Sequence, residues 1–277
     1  MSKIFIRDLV VCPNQSATTA IEKLRQSVKV KPDVLIVSSS HPEPYGYWSR
    51  ASAFARDAQI DDCFAFDIKH GCNGGNLALK IGKDFLKSEN TNQVLIIVDD
   101  QLKDHVDRMN PELTPFHAWG NCTSAVLLTK DEGPWEIQEF TAVTDPRFAD
   151  NVVLKSGESS ISLQTNDETE KEIGRIYRDN YMKVIRESLK ASSLTLSDCL
   201  ALCMNQGDWK LRNTIQRQTG VAWIQDTFSE HGHLGGSDIF LGLTQVTEQN
   251  LLKSGQAVVL ASSALGYSWS GQVLRKC

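Results

Sequence analysis

Apolar and polar positions along this chain fall into two alternating rhythms. Runs rich in β-branched and aromatic residues occur at Lys3–Cys12, Asp33–Ser40, Cys63–Lys69, Gln93–Asp100, Ser124–Lys130 and Trp135–Thr144. Such runs predict strands. Helix-compatible runs lie between them at Ala17–Val28, Ser49–Gln59 and Asn76–Ser88. Asp145–Glu158 is polar, contains Pro146 and Gly157, and reads as a connection. A second series follows. Ile161–Asn166 is a short strand candidate. Glu168–Ser193 predicts a long amphipathic helix, with Ile173, Ile176, Tyr177, Tyr181, Val184, Ile185 and Leu189 at helical spacing. Then come strand Leu200–Asn205, helices Trp209–Gln218 and Ser237–Asn250, and strands Gln256–Ser262 and Trp269–Arg275. The alternation predicts an α/β fold. Two series of similar order point to duplication, with one half over residues 1–150 and the other over 151–277.

Composition narrows the function classes. A net charge of −5 over 277 residues offers no basic face for nucleic acid. No apolar run approaches the ~20 residues of a membrane span. The opening MSKIFIRDLVVC is too short and too interrupted by charge for a signal peptide, and reads as a first strand. Seven cysteines without export signals predict free thiols in a reducing cytoplasm. Cys199 and Cys203 lie in the apolar run CLALCM, so core packing is expected of them. His231 and His233 have no third ligand nearby, and no metal is expected.

The segment CFAFDIKHGCNGGNLAL, Cys63 to Leu79, carries the sharpest chemical signal. A β-rich run stops at His70-Gly71 and a helix-compatible run starts at Asn76. Cys72 therefore sits at a strand-to-helix turn among small residues. Helix N-terminal amides favour a thiolate there, and glycines let a carbonyl approach the backbone. A buried, inert cysteine is the competing explanation.

Several further segments resemble the thiolase-like superfamily, specifically its ketoacyl-ACP synthase III group. The Cys72 segment is similar to the nucleophile turn AFD-x4-C-x-G. WGNCTSAVLL, Trp119–Leu128, is similar to F-G-D-G-A-G-A-A-V-L. CMNQGDWKLR, Cys203–Arg212, stands where that group has P-H-Q-A-N-x-R. HGHLGGSD, His231–Asp238, stands at H-G-N-T-S-A-A-S. GQAVVL from Gly255 and LGYSWSG from Leu265 resemble the closing G-Q-x-V-L-L and G-F-T-W-G. The resemblance implies a five-layer α-β-α-β-α sandwich of two similar halves, normally a dimer. It implies an acyl group loaded onto Cys72 from CoA or an acyl carrier protein and passed to a second substrate. No permanently bound cofactor is implied.

Two departures bear on the chemistry. Asn205 stands at the group's histidine position and His233 at its asparagine position. His233 would then take the Cys72 proton, and Asn205 would donate to a thioester carbonyl. The exchange places decarboxylative condensation in doubt, because that reaction needs two donors in strict geometry. Acyl transfer asks only for an activated thiol, a base and an oxyanion hole. Backbone amides at Cys72 and around Leu265 and Gly266 are candidates for the hole, although Ser263-Ala264-Leu265 replaces a glycine-rich run. The second departure is a short stretch between first strand and first helix, which leaves little room for a CoA adenine clamp. A carrier-protein donor fits better, with Lys210 and Arg212 as contacts for the acidic carrier or its phosphopantetheine arm.

Other residues admit two explanations. His70 could polarise the thiol or satisfy a local backbone group. Asp208 and Asp238 could orient a histidine, but more simply serve as helix cap and first-turn acid. Trp48, Arg50, Phe54 and Arg56 could line an entrance or merely pack. The sequence thus points to an acyltransferase of specialised metabolism. The alternatives are a true β-ketoacyl synthase and a non-catalytic subunit completing a heterodimer.

Overall fold

A computed structural model describes residues 3–277 except Glu89, Ser156, Gly157, Ser159, Thr165, Asn166, Asp208 and Gly266, with backbone only for 167–171. The first series is β1 (Phe5–Pro13), α1 (Ala17–Ser27), β2 (Val34–Ser38), α2 (Arg50–Asp57), β3 (Phe64–Ile68), α3 (Gly74–Leu86), β4 (Gln93–Gln101) and β5 (Asn121–Thr129). The second is β6 (Trp135–Thr144), two short strands β7 (Val152–Val153) and β8 (Ser162–Leu163), α4 (Asp167–Ala191), β9 (Cys199–Met204), α5 (Trp209–Thr219), β10 (Trp223–Ile224), α6 (Phe228–His231), α7 (Asp238–Glu248), β11 (Ala257–Ala264) and β12 (Ser268–Lys276).

Strand pairing repeats between the two series. In the first, β2 runs parallel to β3 and β4, and β5 runs antiparallel to β4 and β1. In the second, β9 runs parallel to β10 and β11, and β12 runs antiparallel to β11 and β6. The order β3-β2-β4-β5-β1 is thus matched by β10-β9-β11-β12-β6. The two units touch through Phe5 and Ile6 of β1 against Glu136 and Trp135 of β6. By pairing, β6 leads the second unit, whereas the sequence reading counts it with residues 1–150. The candidate strand at 161–166 is only Ser162–Leu163, joined to β7 outside the main sheet, and Thr165 and Asn166 lie outside the described residues.

Burial explains the layers. β2 and the middle of β4 are apolar on both faces because helices cover both sides of the sheet. Ala20, Ile21 and Leu24 of α1 and Ala51 and Ala55 of α2 pack on the outer face of the first unit. Ser16 and Ser49 cap these helices by accepting from Thr19 N and Ser52 N. Ile176, Val184, Ile185 and Leu189 of α4 and Ile215 of α5 cover the outer face of the second. Leu79 and Leu86 of α3 share the central cluster with Ile239, Phe240 and Leu243 of α7, between the two sheets. The result is the α-β-α-β-α sandwich. The β3–α3 connection carries Cys72 and the equivalent β10–α7 connection carries His233. The central layer therefore brings the two loops together.

Candidate active site

Cys72 lies in a single 3-10 turn, Gly71–Asn73, that leads straight into α3. Gly71 adopts φ +53°, a conformation that favours glycine, and a Cβ there would sit 3.0 Å from Ala264 Cβ. The turn is tied to the second unit. Ser262 Oγ donates to Cys72 O at 2.9 Å, Asn73 Nδ2 donates to Ser268 Oγ at 3.2 Å, and Asn76 Nδ2 donates to Leu260 O at 2.9 Å.

His233 Nε2 stands 3.2 Å from Cys72 Sγ. Its Nδ1 stands 2.5 Å from Asp238 Oδ2. Asp238 is wholly buried and also accepts from Gln206 N at 2.9 Å and Leu234 N at 3.1 Å. A carboxyl group held by these two backbone N–H donors is aimed at Nδ1 and makes Nδ1 the protonated nitrogen. Nε2 is then free to accept the thiol proton. Burial alone would push the His233 imidazole down, but the adjacent Cys72 and Asp238 charges and hydrogen bonds hold it well above 6.5. Asp238 is thus both the first residue of α7 and the orienting partner of His233. Read as a bare helix-start acid, it loses that second role.

The His233 loop is braced on both sides. His233 N donates to Ala118 O and Gly120 N donates to His233 O, at 2.9 and 2.8 Å, which sets the Trp119 ring 6.1 Å from the imidazole. Past it, Gly236 N donates to Asp100 Oδ2 at 2.7 Å. Gly235 adopts φ +65°, and a Cβ there would collide with the Asp100 carboxylate. Ser40 N donates to the other Asp100 oxygen at 2.8 Å. Burial raises the Asp100 carboxyl to about 6. No motif singled out Asp100; only its place beside Asp99 at the end of a buried strand marks it.

Asn205 is turned inward. Its Oδ1 accepts from Ser263 N at 2.6 Å and stands 3.0 Å from Ser262 Oγ and 3.4 Å from Tyr181 OH, and its Nδ2 donates to Gly235 O at 2.9 Å. One amide N–H is left for any other partner. His70 Nε2 lies 3.2 Å from Ser268 Oγ, on a side chain rather than a backbone group, and burial pushes its imidazole below the usual value.

A cavity of about 860 Å³ opens on Cys72, Asn205 and His233. Leu265, Lys210 and Arg212 line it, while Gly266 and Asp208 lie outside the described residues. Arg212 Nη1 is paired with Asp226 Oδ1 at 2.5 Å, and Lys210 Nζ stands 5.9 Å from the centre of the exposed Trp209 ring. Trp48, Arg50, Phe54 and Arg56 line no part of this cavity. Arg50 is instead buried against Glu43 and Asp99, with N–O distances of 2.8 and 3.0 Å, which corrects the entrance expectation. Cys199 and Cys203 are buried in the core clusters. His231 faces Glu230. Among the described residues no helix is long and apolar enough to cross a membrane.

Comparison with known proteins identifies the family. The family model for 3-oxoacyl-[acyl-carrier-protein (ACP)] synthase III matches residues 66–146, which include Cys72. The model for the C-terminal part of the same synthases matches residues 189–276, which include Asn205 and His233. The β-ketoacyl-[acyl-carrier-protein] synthase III of Clostridium tetani is 24% identical over 263 residues, spanning 88% of this chain and 77% of that protein. The crystal structure of the corresponding Thermus thermophilus synthase superimposes with a TM-score of 0.81 at 18% identity, over 96% of this chain and 85% of that one. ChlB3, an acyltransferase, superimposes with a TM-score of 0.76 at 16% identity, over 99% and 98%. A duplicated five-layer sandwich, a cysteine at the central helix and two matched halves of one family leave a single assignment: the chain belongs to the thiolase-like superfamily, as a ketoacyl-ACP synthase III-like enzyme of the condensing and acyl-transferring kind.

Proposed function

We propose that this enzyme is a thioester-dependent acyltransferase whose acceptor is a hydroxyl or amine. The observation that carries the proposal is the Cys72–His233–Asp238 relay. Such a relay activates a nucleophile and then an incoming O–H or N–H. Cys72 Sγ attacks the donor carbonyl as His233 takes its proton. The donor C–S bond breaks, and the departing thiol takes that proton. The acceptor then gives its proton to His233 Nε2, its oxygen or nitrogen attacks the acyl carbon, and the C–Sγ bond breaks. The proton returns to sulfur. No carbanion forms, so no second positioned donor is required. Asn205, braced against Ser262, Ser263 and Gly235, serves mainly as the strut between the two loops.

Three further elements belong to this reading. The donor is an acyl-carrier protein thioester, or CoA, approaching along Lys210 and Arg212. The protein forms a homodimer, or a heterodimer with a related synthase, through edge strand β3. There Phe64 is 60% exposed and clusters with Phe66 and Phe85. The role is in specialised metabolism in the cytoplasm, the latter a setting consistent with seven free cysteines.

A second reading is decarboxylative condensation, which the names of the curated relatives favour. Intact-protein mass spectrometry with acyl-carrier and acyl-CoA thioesters, followed by separate additions of alcohol, amine and malonyl thioester, distinguishes the two. The expected result is an acyl adduct on the native chain, none on Cys72→Ala, and discharge by alcohol or amine. Discharge only by malonyl thioester with release of CO2 establishes condensation. An absence of adduct with every donor leaves the non-catalytic subunit.

A further inference from the structure

The cavity that opens on Cys72 is large, and Phe116, Trp119, Tyr177, Tyr181 and Tyr267 are among the residues that line it. We propose that the acyl group Cys72 carries is itself ring-bearing, an aroyl or comparably flat cyclic acyl thioester, rather than a short or linear one. This rests on the acyl-transfer reading. The chemistry is the exchange already given: the donor C–S bond breaks, the C–Sγ bond forms, the donor thiol leaves with the proton, and the ring passes through unchanged.

Size is the first argument. About 860 Å³ lies near the top of the ~300–1,000 Å³ range of sites that enclose a drug-sized ligand. The donor arm takes the stretch along Lys210 and Arg212; the acyl group is left the stretch lined by rings, and apolar space left unfilled there forfeits contact energy.

Wall chemistry is the second. Tyr177, Tyr181 and Tyr267 line the cavity. Burial, and after it the neighbouring Tyr and Cys72 groups, keep the Tyr177 phenol neutral well above its usual range. The Tyr177 and Tyr267 ring centres are 5.8 Å apart at 82°, and Trp269 backs Tyr177 at 5.2 Å and 80°. Another part of the lining is Phe116 and Trp119, 4.9 Å apart at 72°. Tyr181, Tyr267 and Trp269 are buried behind this wall, while Tyr177, Phe116 and Trp119 keep part of their surface open, and an edge or face of a second ring against them is the geometry in which aromatic pairs gain most.

Rigidity is the third. Tyr181 OH is held by Ser263 Oγ at 2.8 Å, and the Trp119 backbone is bridged to the His233 loop. A preformed rigid wall rewards a ligand with little torsional freedom of its own. A linear chain would lose rotamer entropy on entry, and a flat ring loses little.

The test is the rate of Cys72 acylation by acetyl-, hexanoyl- and benzoyl-pantetheine, read by intact mass. Each rate is divided by that of the same thioester with free N-acetylcysteine, which removes intrinsic reactivity. The corrected benzoyl rate is expected to exceed both others by at least tenfold. Phe116→Ala and Tyr177→Leu are each expected to lower the benzoyl-to-acetyl ratio at least tenfold. A linear thioester that reacts fastest, or a ratio unchanged in both variants, overturns the inference while leaving acyl transfer intact. No acylation by any thioester overturns the acyl-transfer reading, and this inference with it.

Discussion

Asp100 of the first unit and Gly236 of the second are joined by a 2.7 Å hydrogen bond, amide to carboxylate, inside the protein. The same carboxylate holds Ser40 N. It therefore clamps the turn that follows His233 to the end of β4, and so sets where the imidazole stands relative to the thiol.

This clamp has a pH signature. Burial raises the Asp100 carboxyl from 3.8 to about 6. The unfolded chain releases the proton near 3.8 and the folded chain keeps it to about 6, so between these values folding takes up a proton. Stability from this group is greatest below about pH 4, falls as pH rises to about 6, and is level above. The swing is on the order of 3 kcal/mol. Asp100→Asn removes it. The Tm difference, native minus variant, is expected to shrink between pH 4 and 6, and a constant difference would contradict the clamp's buried-acid character.

Asp238→Asn keeps the side-chain volume but removes the anion that orients Nδ1 and stabilises the imidazolium. Acylation of Cys72 should slow by on the order of 10²- to 10⁴-fold, followed by intact mass over time. A variant that folds and acylates at the native rate would reduce Asp238 to a helix-start residue.

Asn205→Ala strands Ser263 N, which has the Asn205 oxygen as its partner in a buried strand. The expected cost is about 1–3 kcal/mol of stability, measured by denaturant unfolding. If Asn205 is chiefly a carbonyl donor instead, stability will hold and only the acylation rate will fall.

Phe64→Lys places a charge in the exposed aromatic cluster of the edge strand, a standard way natural edges refuse pairing. Sedimentation is expected to show a dimer for the native protein and a monomer for the variant. A dimer unaffected by Phe64→Lys would move the interface elsewhere.

Much of the fold was legible because burial on both sheet faces writes itself as continuous apolar runs, as in VLIVS of β2. Cys72 was legible because a tight turn into a central helix needs the glycines around it. Asp238 was harder. It follows His233 by five residues, a spacing that faces neither helix nor strand partner, and the turn at Gly235 and Gly236 folds its carboxylate back onto Nδ1. Arg50 stayed open between entrance and packing because the two acids that bury it, Glu43 and Asp99, come from separate segments of the chain. The commitments of Asn205 were invisible because Ser262, Ser263 and Gly235 reach it from distant segments.

Cys72, the proposed nucleophile, hangs from the β3–α3 connection, and His233, its proposed base, from the matching β10–α7 connection. Each duplicated copy thus contributes one reagent at the same topological address, and neither copy contains a thiol with its base. In the proposed chemistry, reactivity is consequently a property of the seam. Expressed as two fragments divided between β5 and β6, the chain would regain Cys72 acylation only as the fragments dock, which makes the chemistry a direct gauge of how tightly the two copies recognise each other.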